Sequence, residues 1–385
     1  MGITRRQLIK GFSALPLVSV AGFPGLSLAK AAGDKRMVFL LLRGGMDGLA
    51  VVPAMGDPDH ERERNGIATT DPLKLDGMFG MHPLLPNLKS LYDDGDLAVV
   101  HAVASSYRNR SHFDGQNLVE NGSGIPYGLP SGWLNRALLG FQRDGEKGIA
   151  VTNTMPVAMR GEAKIASWSP SELPDPDPDT INRLARLYEG HPDFANAFEK
   201  ARMANAKMDM AGGEGGQLAT LMQAAARFIK ADDGPRVAFV EQGGWDTHAG
   251  QMGIQGPLYR NLVSLNEAVK AFRDEIGDKA WQETVIIGVT EFGRTVAMNG
   301  SNGTDHGTAS IALAMGGAVN GGQVLGDWPG LKKRHQFEGR DLLPTTEMRS
   351  LFKSVLMDHL GIAEGHVEGT VFPDSRRVKP FEGLV

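Results

Sequence analysis

The sequence contains no cysteine. Disulfides, thiolate zinc sites and cysteine nucleophiles are excluded, so any metal falls to histidine and carboxylate ligands. Positive charge is not in excess either: 40 Lys and Arg stand against 45 Asp and Glu, a net charge of -5 with a pI near 6.1. That balance gives no electrostatic case for a nucleic-acid partner. A long unbroken hydrophobic run is also missing. The stretch from Phe12 to Leu28 is interrupted by Pro16, Gly22, Pro24 and Gly25. It is too short and too broken for a stable membrane span. No internal repeat is visible.

Glycine, by contrast, is plentiful, with 50 residues in a chain of 385, and several lie beside the charged motifs described below. Glycine permits tight turns and close backbone approach, as loops wrapped on a ligand require. The first residues, to about 33, read as a targeting segment. Thr4–Lys10 (TRRQLIK) carries paired arginines, a modestly apolar stretch follows, and Ala29-Lys30-Ala31 offers a small-residue cleavage pattern. Twin arginines address the bacterial export machinery that carries folded proteins, which makes the expected location periplasmic or otherwise extracytoplasmic.

Residues 34–385 read as one α/β domain, a mostly parallel central sheet with helices on both faces. Strands are expected at Arg36–Leu42, Asp96–Val103, Gly148–Asn153, Pro235–Glu241, Val285–Val289 and Ser310–Met315. Helices are expected near Pro83–Asp94, from Ser111 to Asn121, at Pro257–Gly277 and at Asp341–Leu360, the last capped by Thr345 or Thr346 and stopped by Gly361. Pro170–Asp179 alternates proline with acid and reads as a stiff linker. About 170–234 is taken as a helical insertion covering the site or its flank.

Charged groups just past the carboxyl ends of strands occupy the rim where open α/β sheets bind ligands. Asp47 follows the first strand on a glycine turn. Asp246 and His248 follow Pro235–Glu241. Glu291 ends Val285–Val289, and a glycine-rich loop then delivers Asp305 and His306. Carboxylates and imidazoles meeting on one rim need something to offset repulsion and desolvation, and a divalent cation does so. The mixed Asp and His set suits Zn²⁺ or Mn²⁺, one ion or two. Taken singly, such residues also make turns and Asx caps. Ser111 stands at a helix start, either as a hydroxyl nucleophile with His112 beside it or as a plain N-cap. Adjacent helical residues point about 100° apart, so His112 need not reach the Ser111 hydroxyl. Arg43 and Arg294 are candidates for binding an anion, or for ordinary ion pairs. Trp133 and Trp245 read as core or pocket wall.

Together, the paired-arginine leader, Leu42–Gly48 (LRGGMDG), Ser111–Asp114 (SHFD), Gly243–His248 (GGWDTH), Thr290–Thr295 (TEFGRT) and Gly303–Gly307 (GTDHG) resemble the bacterial DUF1501 family. That family is similar in fold to the alkaline phosphatase and sulfatase superfamily, whose members hydrolyse phosphate or sulfate esters at a metal site. The resemblance implies Asp47 as the first-strand ligand, Ser111 near the nucleophile position, Asp246 and His248 as an Asp-plus-His group, and His306 as the last histidine. Thr290–Gly293 falls where Ser-Asp-His-Gly is expected, and Phe292 replaces the histidine ligand, a place Asp305 or His112 would have to fill. Sulfatases of the common type use a modified Cys or Ser followed by Pro-x-Arg. Here Ser169-Pro170-Ser171-Glu172 lacks the arginine, so phosphate esters are the stronger branch. The expected function is an exported, metal-dependent hydrolase of a small or polymer-borne anionic ester, attacked by Ser111 or by water activated at the metal. The alternative is a non-catalytic exported protein, binding a ligand or aiding surface assembly at a degenerate metal site.

Overall fold

A computed structural model describes residues 34–385 apart from 142–146, 171–177, 189, 192–194, 196–197, 200–215 and 254. The expected leader, residues 1–33, and much of the expected insertion lie outside the described residues. Eleven strands are present among the latter. These are β1 (Arg36–Leu42), β2 (Leu73–Lys74), β3 (Gly80–Met81), β4 (Leu97–Ala104), β5 (Gly148–Val151), β6 (Ile165–Trp168), β7 (Val237–Gln242), β8 (Thr284–Val289), β9 (Ser310–Met315), β10 (Gln323–Leu325) and β11 (Thr346–Glu347). β2 and β3 form a separate hairpin. The others make one sheet in the order β10-β4-β9-β8-β1-β7-β5-β6, with β11 also on β4.

The central strands β1, β4, β8 and β9 are buried at every position because both faces of the sheet are covered. Side chains alternate across a strand, so Val38, Leu40 and Leu42 of β1 enter one core and Met37, Phe39 and Leu41 the other. The first core is closed by the helices Pro86–Asp93, Gly216–Lys230 and Pro257–Ile276. The second is closed by Trp133–Leu138 and Met348–Ser354, with Phe39 set edge-on to both Trp133 (5.2 Å) and Phe352 (5.4 Å). Trp133 and Trp245 are both fully buried. Gly216–Lys230, from the segment expected as an insertion, thus belongs to the layer lying on the sheet. The expected closing helix is shorter than its apolar pattern. Thr346 pairs in β11, Glu347 rather than a threonine caps Met348–Ser354, and a π-helical turn follows at Val355–His359 before Gly361 (φ 69°). Thr346 is held in the sheet opposite Val103 and the Thr345 hydroxyl is bonded to the Asp327 carbonyl, so the helix starts later and Glu347 takes the cap position.

Every strand contact in the sheet is parallel except those of β9, which runs against both β4 and β8. The amino end of β9 therefore meets the carboxyl ends of its neighbours, and the loop that precedes it lands on the same rim as Asp246 and Glu291. That loop folds back on itself: Gly293 and Gly307 exchange bonds with Thr308 and Gly293 across it, and Arg294 pairs with His306. A Cβ at Gly293 would stand 1.8 Å from the Ala309 carbonyl oxygen, so this approach is open only to glycine.

Beneath the rim, a buried polar network ties three loops together. Asp47 accepts from Arg64 Nη2 (2.8 Å), Gln251 Nε2 (2.5 Å) and the Ala50 amide (3.2 Å). Arg64 also donates to the Val296 carbonyl, while Gln251 Oε1 accepts from Thr247 and Thr304. Asp47 and Arg64 are both almost wholly excluded from solvent. Removing one partner of such a pair strands the other charge and costs about 3–5 kcal/mol. Asp47→Ala is expected to lower the urea midpoint by a corresponding amount, whereas a surface control such as Lys270→Ala leaves it unchanged.

Candidate metal centre

Three imidazoles converge at the rim. His306 Nε2 lies 2.9 Å from His112 Nε2 and 2.9 Å from His248 Nε2. Asp246 faces all three rings: its Oδ1 is 3.0 Å from His248 Nε2 and 3.2 Å from His306 Nε2, and its Oδ2 is 3.4 Å from His112 Nε2. Ligand atoms of His112, Asp246 and His306 all lie within 4.8 Å of one another. The three histidines come from the start of the helix His112–Asn121 behind β4, the loop behind β7 and the loop leading into β9.

Each ring is turned by an acceptor on its far nitrogen. His112 Nδ1 donates to Glu291 Oε1 (2.7 Å), His248 Nδ1 to Asp305 Oδ1 (3.2 Å) and His306 Nδ1 to the Arg110 carbonyl (2.9 Å). A carbonyl can only accept, so the His306 proton sits on Nδ1 and its Nε2 presents a single lone pair inward. That one lone pair faces two imidazole nitrogens at hydrogen-bonding distance, and only one of them can donate to it. A proton on one of those two rings satisfies it and leaves the other ring to Asp246, whereas one cation at the centre would satisfy all three rings at once. Three carboxylates (Asp246, Glu291, Asp305) against two guanidinium groups (Arg294, Arg340) leave the site net negative, which favours a cation. Zinc–nitrogen bonds of about 2.0–2.1 Å place tetrahedral ligands roughly 3.3 Å apart, so the nitrogens need spread only slightly. A donor set of imidazole nitrogens and one carboxylate, with its outer nitrogens tied, fits Zn²⁺ or Mn²⁺.

The carboxylates divide the work. Burial opposes ionisation of Glu291, yet bonds from His112, Gln116 Nε2 (2.9 Å) and the Gly44 amide (2.9 Å) hold its carboxyl below the usual range. Burial likewise pushes Asp246 up, and the Arg294 guanidinium (2.6 Å) outweighs it and keeps the carboxyl low. The Asn299 amide, 2.9 Å away, lowers Asp305, with His248 adding to it. The bond to Glu291 raises His112, whereas burial lowers His306. Asp246 and His248 keep 42% and 43% of their side-chain surface exposed, so the centre opens to solvent.

Of the residues expected at this site, His112, Asp246, His248 and His306 meet directly. Glu291 and Asp305 act behind them, each on one imidazole. Asp47 lies in the Arg64–Gln251 network, with its carboxylate already engaged there. Arg43 and Arg294, expected as anion clamps, are bonded to protein acceptors. Arg43 donates to Glu241, Gln116 and Glu120; Arg294 is fully buried and donates to Asp246 and Thr304. Ser111 is the N-cap of the helix that begins at His112, with an extended backbone, and its side chain does not cap that helix. Phe292 is buried against the cluster, its ring 4.8 Å from that of His112 and 5.2 Å from that of His306. The sequence reading missed Gln116, Asn299, Arg64 and Gln251. Gln116 was the one within reach, being one helical turn beyond His112 on the same face.

No curated protein matches the sequence. Among solved structures the chain is similar to Ps i-CgsB in complex with k-i-k-neocarrahexaose, at 10% identity and a TM-score of 0.44, over 88% of this chain and 75% of that one. It is similar to the PsFucS1 sulfatase from Pseudoalteromonas sp. at 12% identity and a TM-score of 0.41, over 92% and 74%. A phosphonate monoester hydrolase of Agrobacterium radiobacter gives 11% identity and a TM-score of 0.39, over 86% and 74%. Residues 107–369 match the family described as "Protein of unknown function (DUF1501)", which takes in four of the five motifs quoted above, and the chain belongs to that family.

Proposed function

We propose that this chain is an exported, metal-dependent hydrolase of phosphate esters, with sulfate esters as the lesser branch. The observation that carries the reading is the His306 Nε2 atom, whose one lone pair faces two other imidazole nitrogens and a carboxylate. His112, His248, His306 and Asp246 would hold one Zn²⁺ or Mn²⁺. Bound there, a divalent cation supplies a Lewis acid that polarises the ester and offsets its charge. Glu291, Asp305 and the Arg110 carbonyl keep the three Nε2 atoms turned inward. Arg294 keeps Asp246 ionised and aimed. Ser111 stands one residue from the centre at the positive end of a ten-residue helix, where an anion is favoured. Its Oγ would form the new bond to phosphorus as the alcohol leaves with a proton, and water would then release the phosphate. Residues 1–33 would direct export, with 34–385 as the catalytic domain.

Phe292 favours a second reading, a non-catalytic exported protein that binds a ligand at a single-metal site. An apolar ring packed against His112 and His306 fills a position from which a further ligand could have come.

Metal content and turnover of 4-nitrophenyl phosphate and 4-nitrophenyl sulfate test both readings. One equivalent of zinc or manganese per chain is expected, with phosphate ester cleaved and turnover abolished by EDTA. His306→Ala and Asp246→Ala are expected to lose the metal while keeping the wild-type circular dichroism spectrum; Ser111→Ala keeps the metal and loses turnover. A folded chain that takes up neither ion defeats the proposal, and bound metal without turnover of any ester selects the second reading.

Glu291→Gln keeps the shape but weakens the acceptor behind His112. It is expected to reduce metal affinity by about 10–100-fold in competition with a chromophoric chelator. Metal affinity is also expected to fall with pH, since protons and metal compete for the same nitrogens. Because His112 is raised above the ordinary imidazole value of about 6.5, the fall begins above that pH and steepens below it. Chelator titrations from pH 8 to pH 5.5, on the order of the imidazole range, would read this directly.

A further inference from the structure

One strand along the rim from the histidines, a cavity of about 530 Å³ opens at the carboxyl ends of β5 and β7, roofed by the helices Gly216–Lys230 and Pro257–Ile276. Its volume falls within the usual range for small-molecule sites, about 300–1,000 Å³. Its chemistry differs from that of the metal centre. The side chains of Asn153, Thr154, Gln242, Asn261 and Ser264 line it and make no hydrogen bond to any described residue. Gln242 Oε1 and Asn261 Nδ2 are enclosed and unpaired, a state that folded proteins seldom leave uncompleted. Of the cavity's two charged residues, Glu241 is engaged by an opposite charge, and Arg260 spends one donor on a backbone carbonyl. Glu241 accepts from Thr152 Oγ1 and Arg43 Nε, each at 2.6 Å, and Arg260 Nη1 donates to the Gln255 carbonyl at 2.6 Å. Leu218 and Leu221 add an apolar patch.

We propose that this cavity binds a neutral saccharide. Amides and hydroxyls both donate and accept, which matches the paired donor and acceptor character of sugar hydroxyls. The leucines suit the C–H face of a ring. The lining holds one carboxylate, Glu241, and one guanidinium, Arg260, so it carries no net charge to select an anion. The cavity wall is also joined to the histidines by an unbroken chain of bonds. Arg43 donates to Glu241 and to Gln116 Oε1, Gln116 donates to Glu291, and Glu291 holds His112. The saccharide would accordingly be the alcohol half of the ester whose anionic half lies at the histidines; this last step rests on the hydrolase reading, whereas the binding itself does not.

Saturation-transfer-difference NMR with glucose, galactose, mannose and N-acetylglucosamine tests the binding without any turnover. A Cβ at Gly243, which also lines the cavity, would meet nothing within 4 Å, so a side chain can start there without a clash at Cβ, and Gly243→Trp is the filling variant. At least one of the four sugars is expected to bind the wild type. Its affinity should fall by about tenfold or more in Gly243→Trp, and likewise in Asn261→Leu should the first variant fail to fold. His306→Ala should leave it within about twofold. A folded wild-type chain that shows no transfer to any of the four overturns the proposal, as does unchanged binding in both cavity variants. Sugar binding without ester turnover would leave this inference standing and remove the hydrolase reading; ester turnover without sugar binding would do the reverse.

Discussion

A neutral imidazole has one lone pair, and the centre is built so that three of them point at the same place. Left alone, the rings would turn or take up protons. What prevents the turning is the set of three acceptors on the outer nitrogens, and most of the rim can be understood as support for those acceptors. Glu291 is pinned by the Gly44 amide and by Gln116. Asp305 is pinned by Asn299. The Arg110 carbonyl is set by a residue with φ of 62°, whose guanidinium is bonded to Asp341 and Glu338. A non-glycine residue in that region is uncommon and persists where its surroundings over-determine it. The strain therefore sits on a residue whose backbone oxygen fixes the His306 tautomer.

Sheet topology supplies the rest of the constraint. Had β9 run parallel to its neighbours, its leading loop would have emerged at the opposite rim, and His306 with it. Reversal of a single strand places His306 beside groups that follow β4 and β7. The tight packing that results leaves little room for side chains between loops: a Cβ at Gly44 (φ 121°) would come within 2.5 Å of the Asp246 nitrogen. The glycines around the motifs thus reflect backbone stacked on backbone.

Much of the frame was legible in the chain. Arg36–Leu42 and Ser310–Met315 have the bounds expected for them, because a strand buried on both faces reads as a nearly unbroken apolar run. β6, β10 and β11 were not legible. They are two to four residues long, half-exposed in part, and acquire strand geometry only from pairing with β5 and β4. Residue types at the site were also legible, and their ranks were not. Asp47, Glu291 and Asp246 all follow a strand and all stand beside glycine. What separates them is a partner remote in sequence: Arg64 for Asp47, His112 for Glu291, Arg294 for Asp246. Spacing along the chain carries no information about which carboxylate a distant guanidinium will claim.

The same logic explains the arginines. A guanidinium beside a metal site suggests anion binding, but it performs that task only if its donors remain unspent. Arg294 is enclosed and gives its donors to Asp246 and Thr304, so it acts on the rim through the orientation and charge of Asp246. Arg43 spans Glu241, Gln116 and Glu120, and in doing so spaces the wall of the neutral cavity from the carboxylate behind His112. Charge at this rim is thus consumed in pairs before any ligand arrives. The exceptions are the carboxylate and imidazole atoms facing one another at the centre, and it is there that an added cation would meet the least compensated groups on the rim.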